Sequence, residues 1–321
     1  MKLHAFGSLF PVSTLTLGGG GLGMLWGKTT FDECVATVRD AVAAGINLLD
    51  LAPRYGDGKA DQVVGAAFGG RLPKGVYVTS KCNLGAPSPD KVLSVMRQSI
   101  ETSLRLLQRD RLDIFFLHSN IAPDGHPMWQ ATDVSRFTPL SLYRSHVREA
   151  MEKLKELGLI NAWGITGIGH PDAIIEVLGE DPKPAAVQCI ANLLDSPGGL
   201  KFHNDPARPR DVMAAARAHG VGIMGIRAVQ AGALTAAIDR ELPSDHPEVL
   251  DYAKAAGFRA VCAEMGEDPA IVAHRYALGL DIDTLVLGVK NRAELAGCVA
   301  AAEAGPLRAD VVARIDGSVG G

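Results

Sequence analysis

Four residues of unlike type stand where short apolar runs end: Asp50 after 46–49, Tyr55 five residues on, Lys81 after 76–79, and His118 after 112–117. Each has an ordinary explanation by itself. An aspartate after a strand caps a turn, a tyrosine packs, a lysine ends a strand in solvent, and a histidine sits satisfied in a core. Together they make chemistry. A tyrosine hydroxyl, with a pKa of ~10, holds its proton too tightly for acid–base work at neutral pH. A neighbouring ammonium favours phenolate and lowers that pKa. An aspartate beside the lysine fixes it and balances its charge. A histidine on the same rim can donate to a carbonyl oxygen. The set suits protonation of a carbonyl as hydride arrives from a cofactor.

Such a set must converge from distant parts of the chain, so the elements between them matter. Apolar runs at 15–17, 46–49, 76–79, 112–117, 162–165, 187–190, 221–226 and 284–287 read as strands. Stretches of helical periodicity alternate with them. Thr30 and Glu33 form a capping box before Phe31, Cys34, Val35, Val38 and Val42, and Gly45 closes that helix. Further helices are read at 88–107, 140–157, 171–178, 211–219, 250–265, 269–278 and 292–303. Apolar strands between helices need a parallel sheet covered on its faces. Eight β-then-α units in 321 residues predict a closed (β/α)8 TIM barrel, an α/β fold of one domain spanning 1–321. An open doubly wound sheet is the alternative. In such barrels reactive groups stand at the C-terminal ends of the strands. The long connection 119–139 follows the fourth strand and is expected to overhang that face. The Gly-, Pro- and Asn-rich segment 198–210, after the sixth strand, belongs on the same side.

Composition removes other classes. Lys plus Arg is 32 and Asp plus Glu is 36, a net charge of -4, which advertises neither nucleic acid nor an anionic membrane as a partner. No apolar run reaches ~18 residues, and no signal peptide is visible at the N-terminus. Five widely spaced cysteines without a C-x-x-C pair suit a reducing, cytoplasmic setting. The nine histidines, His126, His170 and His203 among them, show no ligand spacing such as H-E-x-x-H, so no metal is expected.

The segments Ile46-Asn-Leu-Leu-Asp-Leu-Ala-Pro-Arg-Tyr-Gly56, Val78-Thr-Ser-Lys81, Leu112-Asp-Ile-Phe-Phe-Leu-His118, Trp163-Gly-Ile-Thr-Gly167 and Val187-Gln188 resemble the aldo-keto reductases, and the likeness runs over essentially the whole chain. The resemblance implies the same barrel and an oxidoreductase that moves hydride between a nicotinamide dinucleotide and an aldehyde, ketone or aldose sugar. It implies Tyr55 as general acid/base, Lys81 and Asp50 as its tuning pair and His118 as substrate orienter. It places Thr166, Gly167 and Gln188 on the nicotinamide amide, with Asn192 beside them. Gly19, Gly20 and Gly21 match the first strand end, where small residues let a dinucleotide approach the backbone. Their G-x-G-x-x-G pattern is no Rossmann fingerprint, because no βαβ acid partner follows.

The chain also departs from the family. Ile226 stands where many members stack an aromatic on the nicotinamide, and 225–234 looks closer to the subgroup of D-threo-aldose and L-galactose dehydrogenases. Arg227 could pair with the pyrophosphate or make a surface ion pair. Gly288-Val-Lys-Asn-Arg292 resembles a phosphate-binding turn, with Lys290 and Arg292 available to a 2′-phosphate. Glu294 and Cys298 replace residues that usually read the adenosine end, and Glu294 would repel that phosphate. NADP is the expected cofactor, with NAD as the alternative. Trp26 and Trp129, with Phe137, either wall the substrate pocket or pack their loops. Two other readings compete: a lyase using Lys81 as a Schiff-base nucleophile, and a non-catalytic cofactor-binding barrel like potassium-channel β-subunits.

Overall fold

The computed structural model describes residues 1–25, 27–127 and 134–319. Eight parallel strands close a barrel in chain order: β1 (Leu15–Gly18), β2 (Leu48–Asp50), β3 (Tyr77–Cys82), β4 (Leu112–Leu117), β5 (Ile160–Thr166), β6 (Ala186–Ile190), β7 (Gly222–Ile226) and β8 (Thr284–Leu287). Pairing of β8 with β1, Leu285 opposite Leu15 and Leu287 opposite Leu17, makes the closure. The open-sheet alternative is thereby excluded. Among the described residues no helix is long and apolar enough to cross a membrane. All five cysteines are free and buried.

Strand parity sorts the side chains into two layers. On β4, Phe115 and Leu117 join the layer between strands and helices, while Ile114 and Phe116 fill the barrel. Leu48 of β2, Ala186 of β6 and Met224 of β7 share that interior with Phe6 and Val12 of the N-terminal hairpin, whose strands Leu3–His4 and Val12–Ser13 pair antiparallel. The same alternation carried to the strand ends decides which groups face the barrel axis: Asp50 two residues after Leu48, His118 two after Phe116, Gln188 two after Ala186.

Two helices of 10 and 11 residues are absent from the sequence reading. Lys59–Phe68 follows Gly56 and Gly58, both in the left-handed region, and carries Gly65 inside it. Glycines there mimic a loop, but a Cβ on Gly65 would lie 2.4 Å from the Leu106 carbonyl, so helix contact requires the small residue. The second is Ala309–Val319, packed on Ala256–Met265. The helix read over 140–157 contains a π turn at Tyr143–Val147. The stretch 250–265 is two helices, Pro247–Lys254 and Ala256–Met265, broken at Ala255. The long connection after β4 holds a short strand, Asn120–Ala122, paired parallel with Phe137–Pro139.

Candidate active site

Inward parity brings Asp50, Lys81 and Gln188 to one buried point. The Asp50 carboxylate receives Lys81 Nζ on Oδ2 at 2.8 Å and Gln188 Nε2 on Oδ1 at 2.7 Å. Thr79 Oγ1 adds a third donor on Oδ1 at 2.6 Å. Thr79 escaped the sequence reading, although it stands two residues before Lys81 on the same strand face. Lys81 Nζ also donates to the Leu51 carbonyl at 2.9 Å and to the Tyr55 hydroxyl at 3.3 Å. Every ammonium proton therefore has an acceptor. With Asp50 3% and Lys81 1% exposed, that pairing is what makes a buried charge pair tolerable.

Tyr55 is half-buried in the loop after β2, its ring 4.8 Å from Lys81 Nζ and edge-on to the His118 ring at 6.0 Å. Burial pushes the Tyr55 phenol up from its ordinary value, as do Asp50 and Asp61, while the Lys81 charge pulls it down. The net direction is upward. The sequence expectation of a depressed phenol is corrected here: Lys81 lowers that pKa only against a larger cost of desolvating phenolate. Asp50 and Tyr55 in turn raise the Lys81 pKa despite its burial. An ammonium so held is a poor Schiff-base nucleophile, which removes the physical basis for the lyase reading.

His118 is driven well below its ordinary pKa by burial, with Lys81, Arg54 and Arg136 adding repulsion. At neutral pH it is a neutral imidazole. Its Nδ1 is buried without a hydrogen-bond partner. A cleft of about 330 Å³ opens beside it, lined by Arg54, Lys81, His118 and Ser135 among others. Arg54 reaches Ser135 of the 119–139 connection at 3.1 Å. That connection meets the segment after β6 through Phe137 and Phe202, whose rings are 5.5 Å apart. A larger polar cleft, about 780 Å³ between Arg210, Lys254 and Asp316, contains none of these groups. Trp26 and Trp129 lie outside the described residues.

The other candidates are placed as follows. Gly19, Gly20 and Gly21 are buried in a helical turn, Gly19–Leu22. A Cβ on Gly19 would meet the Tyr55 ring at 2.9 Å, and one on Gly21 the Val289 carbonyl at 1.9 Å. Close approach of the chain to itself therefore already requires glycine there. Thr166 ends β5, and the Gly167 amide donates to the Gln188 carbonyl at 2.8 Å. Asn192 is spent on the Ser196 carbonyl of its own loop and on the Arg227 carbonyl after β7. Ile226 ends β7 opposite Ile190. Arg227 is no surface group: its guanidinium holds Glu248 and Gln230, each at 2.8 Å.

After β8, Gly288 is exposed and Asn291 caps helix Arg292–Ala304 through the Glu294 amide. Both basic groups of this turn have carboxylate partners. Lys290 Nζ meets Glu294 at 2.5 Å, and the Lys290 amide also donates to Glu294, at 3.0 Å. Arg292 forks onto Glu33 at 3.0 and 3.2 Å. Thr30 does cap its helix by accepting from the Glu33 amide. The reciprocal half of the expected capping box is not made, because the Glu33 carboxylate goes to Arg292. Cys298 points into the core, 3.6 Å from His274.

Comparison with known proteins agrees with this picture. The sequence model described as the aldo/keto reductase family matches residues 14–319. L-galactose dehydrogenase of Arabidopsis thaliana is 28% identical over 305 residues, covering 94% of this chain and 88% of that protein. A methylglyoxal reductase of Escherichia coli is 31% identical over 158 residues, covering 49% of this chain and 46% of that protein. Among solved structures, the holo form of an aldo-keto reductase from Bacillus halodurans superposes with a TM-score of 0.72 at 23% identity, over 99% of this chain and 96% of that one.

Proposed function

Since the chain belongs to the aldo/keto reductase family and is an NAD(P)-dependent oxidoreductase, we propose that Tyr55 is its general acid/base, acting on a small aldehyde, ketone or aldose. The observation that carries this is the buried relay Asp50, Lys81, Tyr55, with contacts of 2.8 and 3.3 Å. When bound, the nicotinamide supplies the hydride that the carbonyl carbon receives. Tyr55 gives its proton to the carbonyl oxygen and recovers it from solvent. Lys81 stabilises the phenolate left behind, and Asp50 holds Lys81 charged and in place. His118, neutral, donates to the carbonyl oxygen and fixes its direction. The sugar substrate of the Arabidopsis relative supports an aldose, and the Escherichia coli relative a short dicarbonyl. Oxidation of reduced cofactor by a panel of such carbonyls tests the reading. Cofactor binding without turnover on any of them would favour the non-catalytic barrel.

For the cofactor, Thr166 at the end of β5 and the side-chain oxygen of Gln188 on β6 supply polar groups beside Gly167, whose amide is held by the Gln188 carbonyl, and the last turn sets two cations at a helix N-terminus. These residues fit a dinucleotide. Because Glu294 and Glu33 balance those cations, the turn offers little net charge to a 2′-phosphate. NADP is accordingly read as accepted with NAD within ~100-fold, about 2.7 kcal/mol. Glu294→Gln should leave Lys290 only the Asp239 carboxylate, 3.9 Å away, and tighten NADPH roughly 3- to 10-fold, the scale of ~1 kcal/mol for a partly exposed charge. NADH affinity should hardly move. Fluorescence titration of both cofactors reads this out, and equal changes would show that Glu294 does not face the 2′ position.

A further inference from the structure

Three histidines and an aspartate that the reaction does not use converge on the connections after β4, β5 and β6. His126 lies in 119–139, His170 directly precedes helix Pro171–Leu178, and His203 and Asp205 lie in 198–210. Asp205 Oδ2 is 3.0 Å from His126 Nε2, 3.8 Å from His170 Nε2 and 3.7 Å from His203 Nδ1. The His126 and His170 rings are 4.7 Å apart.

We propose that His126, His170 and Asp205, with His203 as fourth donor, bind one divalent transition cation of the zinc class. The donor chemistry fits: imidazoles with one carboxylate are a zinc set. So does the spacing. Tetrahedral bonds of ~2.0–2.1 Å put neighbouring donors about 3.3 Å apart, and the three separations from Asp205 bracket that figure. The donor atoms of His126, His170 and Asp205 all lie within 4.8 Å of one another. A hydrogen-bonded cluster accounts for the arrangement less well. One carboxylate oxygen faces all three rings and reaches hydrogen-bond distance only with His126. The His203 side chain is 1% exposed, and its Nδ1 is aimed at Asp205 without a hydrogen-bond partner. A cation among the four takes that lone pair and offsets the carboxylate charge.

The spacing rule that predicts no metal reads one local stretch of chain. These ligands come from three separate connections and meet only in the folded barrel. The same segments are tied by Phe137 on Phe202 and by Arg136, 5.3 Å over the Phe202 ring. The ion's role is therefore to staple these loops to one another.

Titration calorimetry of the full chain, stripped with a chelator and dialysed, tests the site with Zn2+ alone. One ion per chain is expected, and Co2+ in its place should give the intense visible absorption of a tetrahedral centre. His170→Ala and His203→Ala should each weaken Zn2+ binding by no less than the ~10–100-fold that losing an outer-sphere partner costs. Asp205→Asn, a change of charge with little change of shape at a half-exposed side chain, should weaken it too and guards against misfolded alanine variants. His146→Ala, which removes a ring hydrogen-bonded to Ser145 and outside the cluster, should leave binding unchanged. Absence of a stoichiometric ion, or equal affinity in wild type and Asp205→Asn, would overturn the proposal.

Discussion

Replacing Tyr55 with Phe is expected to lower kcat for carbonyl reduction by about 10²- to 10⁴-fold, the scale of a lost general acid. The hydroxyl is the only group the change removes, and it makes one hydrogen bond, to Lys81 at 3.3 Å. The ring stays edge-on to His118 and packed over Gly19, so fold and cofactor affinity should hold within a few-fold. Lys81 keeps Asp50 and the Leu51 carbonyl as acceptors. Steady-state kinetics with a cofactor titration in parallel separates the two effects. Near-normal reduction by this variant would remove Tyr55 from the mechanism.

Lys81→Met should act on the pH profile as well as on the rate. The Tyr55 phenol already titrates above its ordinary value, because burial and the carboxylates of Asp50 and Asp61 outweigh the Lys81 charge. Removing that charge takes away the influence that lowers it, so the phenol pKa rises further. In alcohol oxidation the phenolate is the base. The rise of kcat on the alkaline side should therefore move to higher pH. At neutral pH the phenolate population, and kcat with it, should fall about tenfold for each pH unit that the rise moves. The variant also strands the Asp50 carboxylate, which retains only Thr79 and Gln188 as donors. Breaking a buried pair costs ~3–5 kcal/mol of stability. Thermal melts must accompany the kinetics, and the double variant Asp50→Asn/Lys81→Met should recover part of the loss. An unmoved pH profile with reduced activity would assign Lys81 a purely structural role.

What the sequence makes legible is set by how local the determining interactions are. The near-continuous apolar run Leu112–Leu117 marks a strand buried on both faces and sets His118 at its C-terminal end. The Asp50 to Tyr55 spacing likewise is local, running from the end of β2 into the loop after it. The helix Lys59–Phe68 is hidden because its glycines serve a neighbour, Leu106, that is distant in sequence. The partnerships of Arg292 with Glu33 and of Arg227 with Glu248 cross between elements, so motif reading left Arg292 free for phosphate when it is already paired, and could place an ion pair of Arg227 only at the surface. The direction in which the Tyr55 pKa moves is invisible for the same reason. A lysine nearby can be guessed from spacing, but the depth of burial that opposes it belongs to the folded barrel.

The mechanism rests on hydride passing to a carbonyl carbon while Tyr55 protonates the oxygen. Reduced cofactor carrying deuterium at the transferable nicotinamide position, given with an aldehyde that the wild-type protein turns over, tests this most directly. One deuterium is expected on the former carbonyl carbon for each cofactor oxidised, with transfer slowed by about 10²-fold or more in Tyr55→Phe. Product without deuterium, or cofactor oxidation uncoupled from alcohol formation, would contradict it.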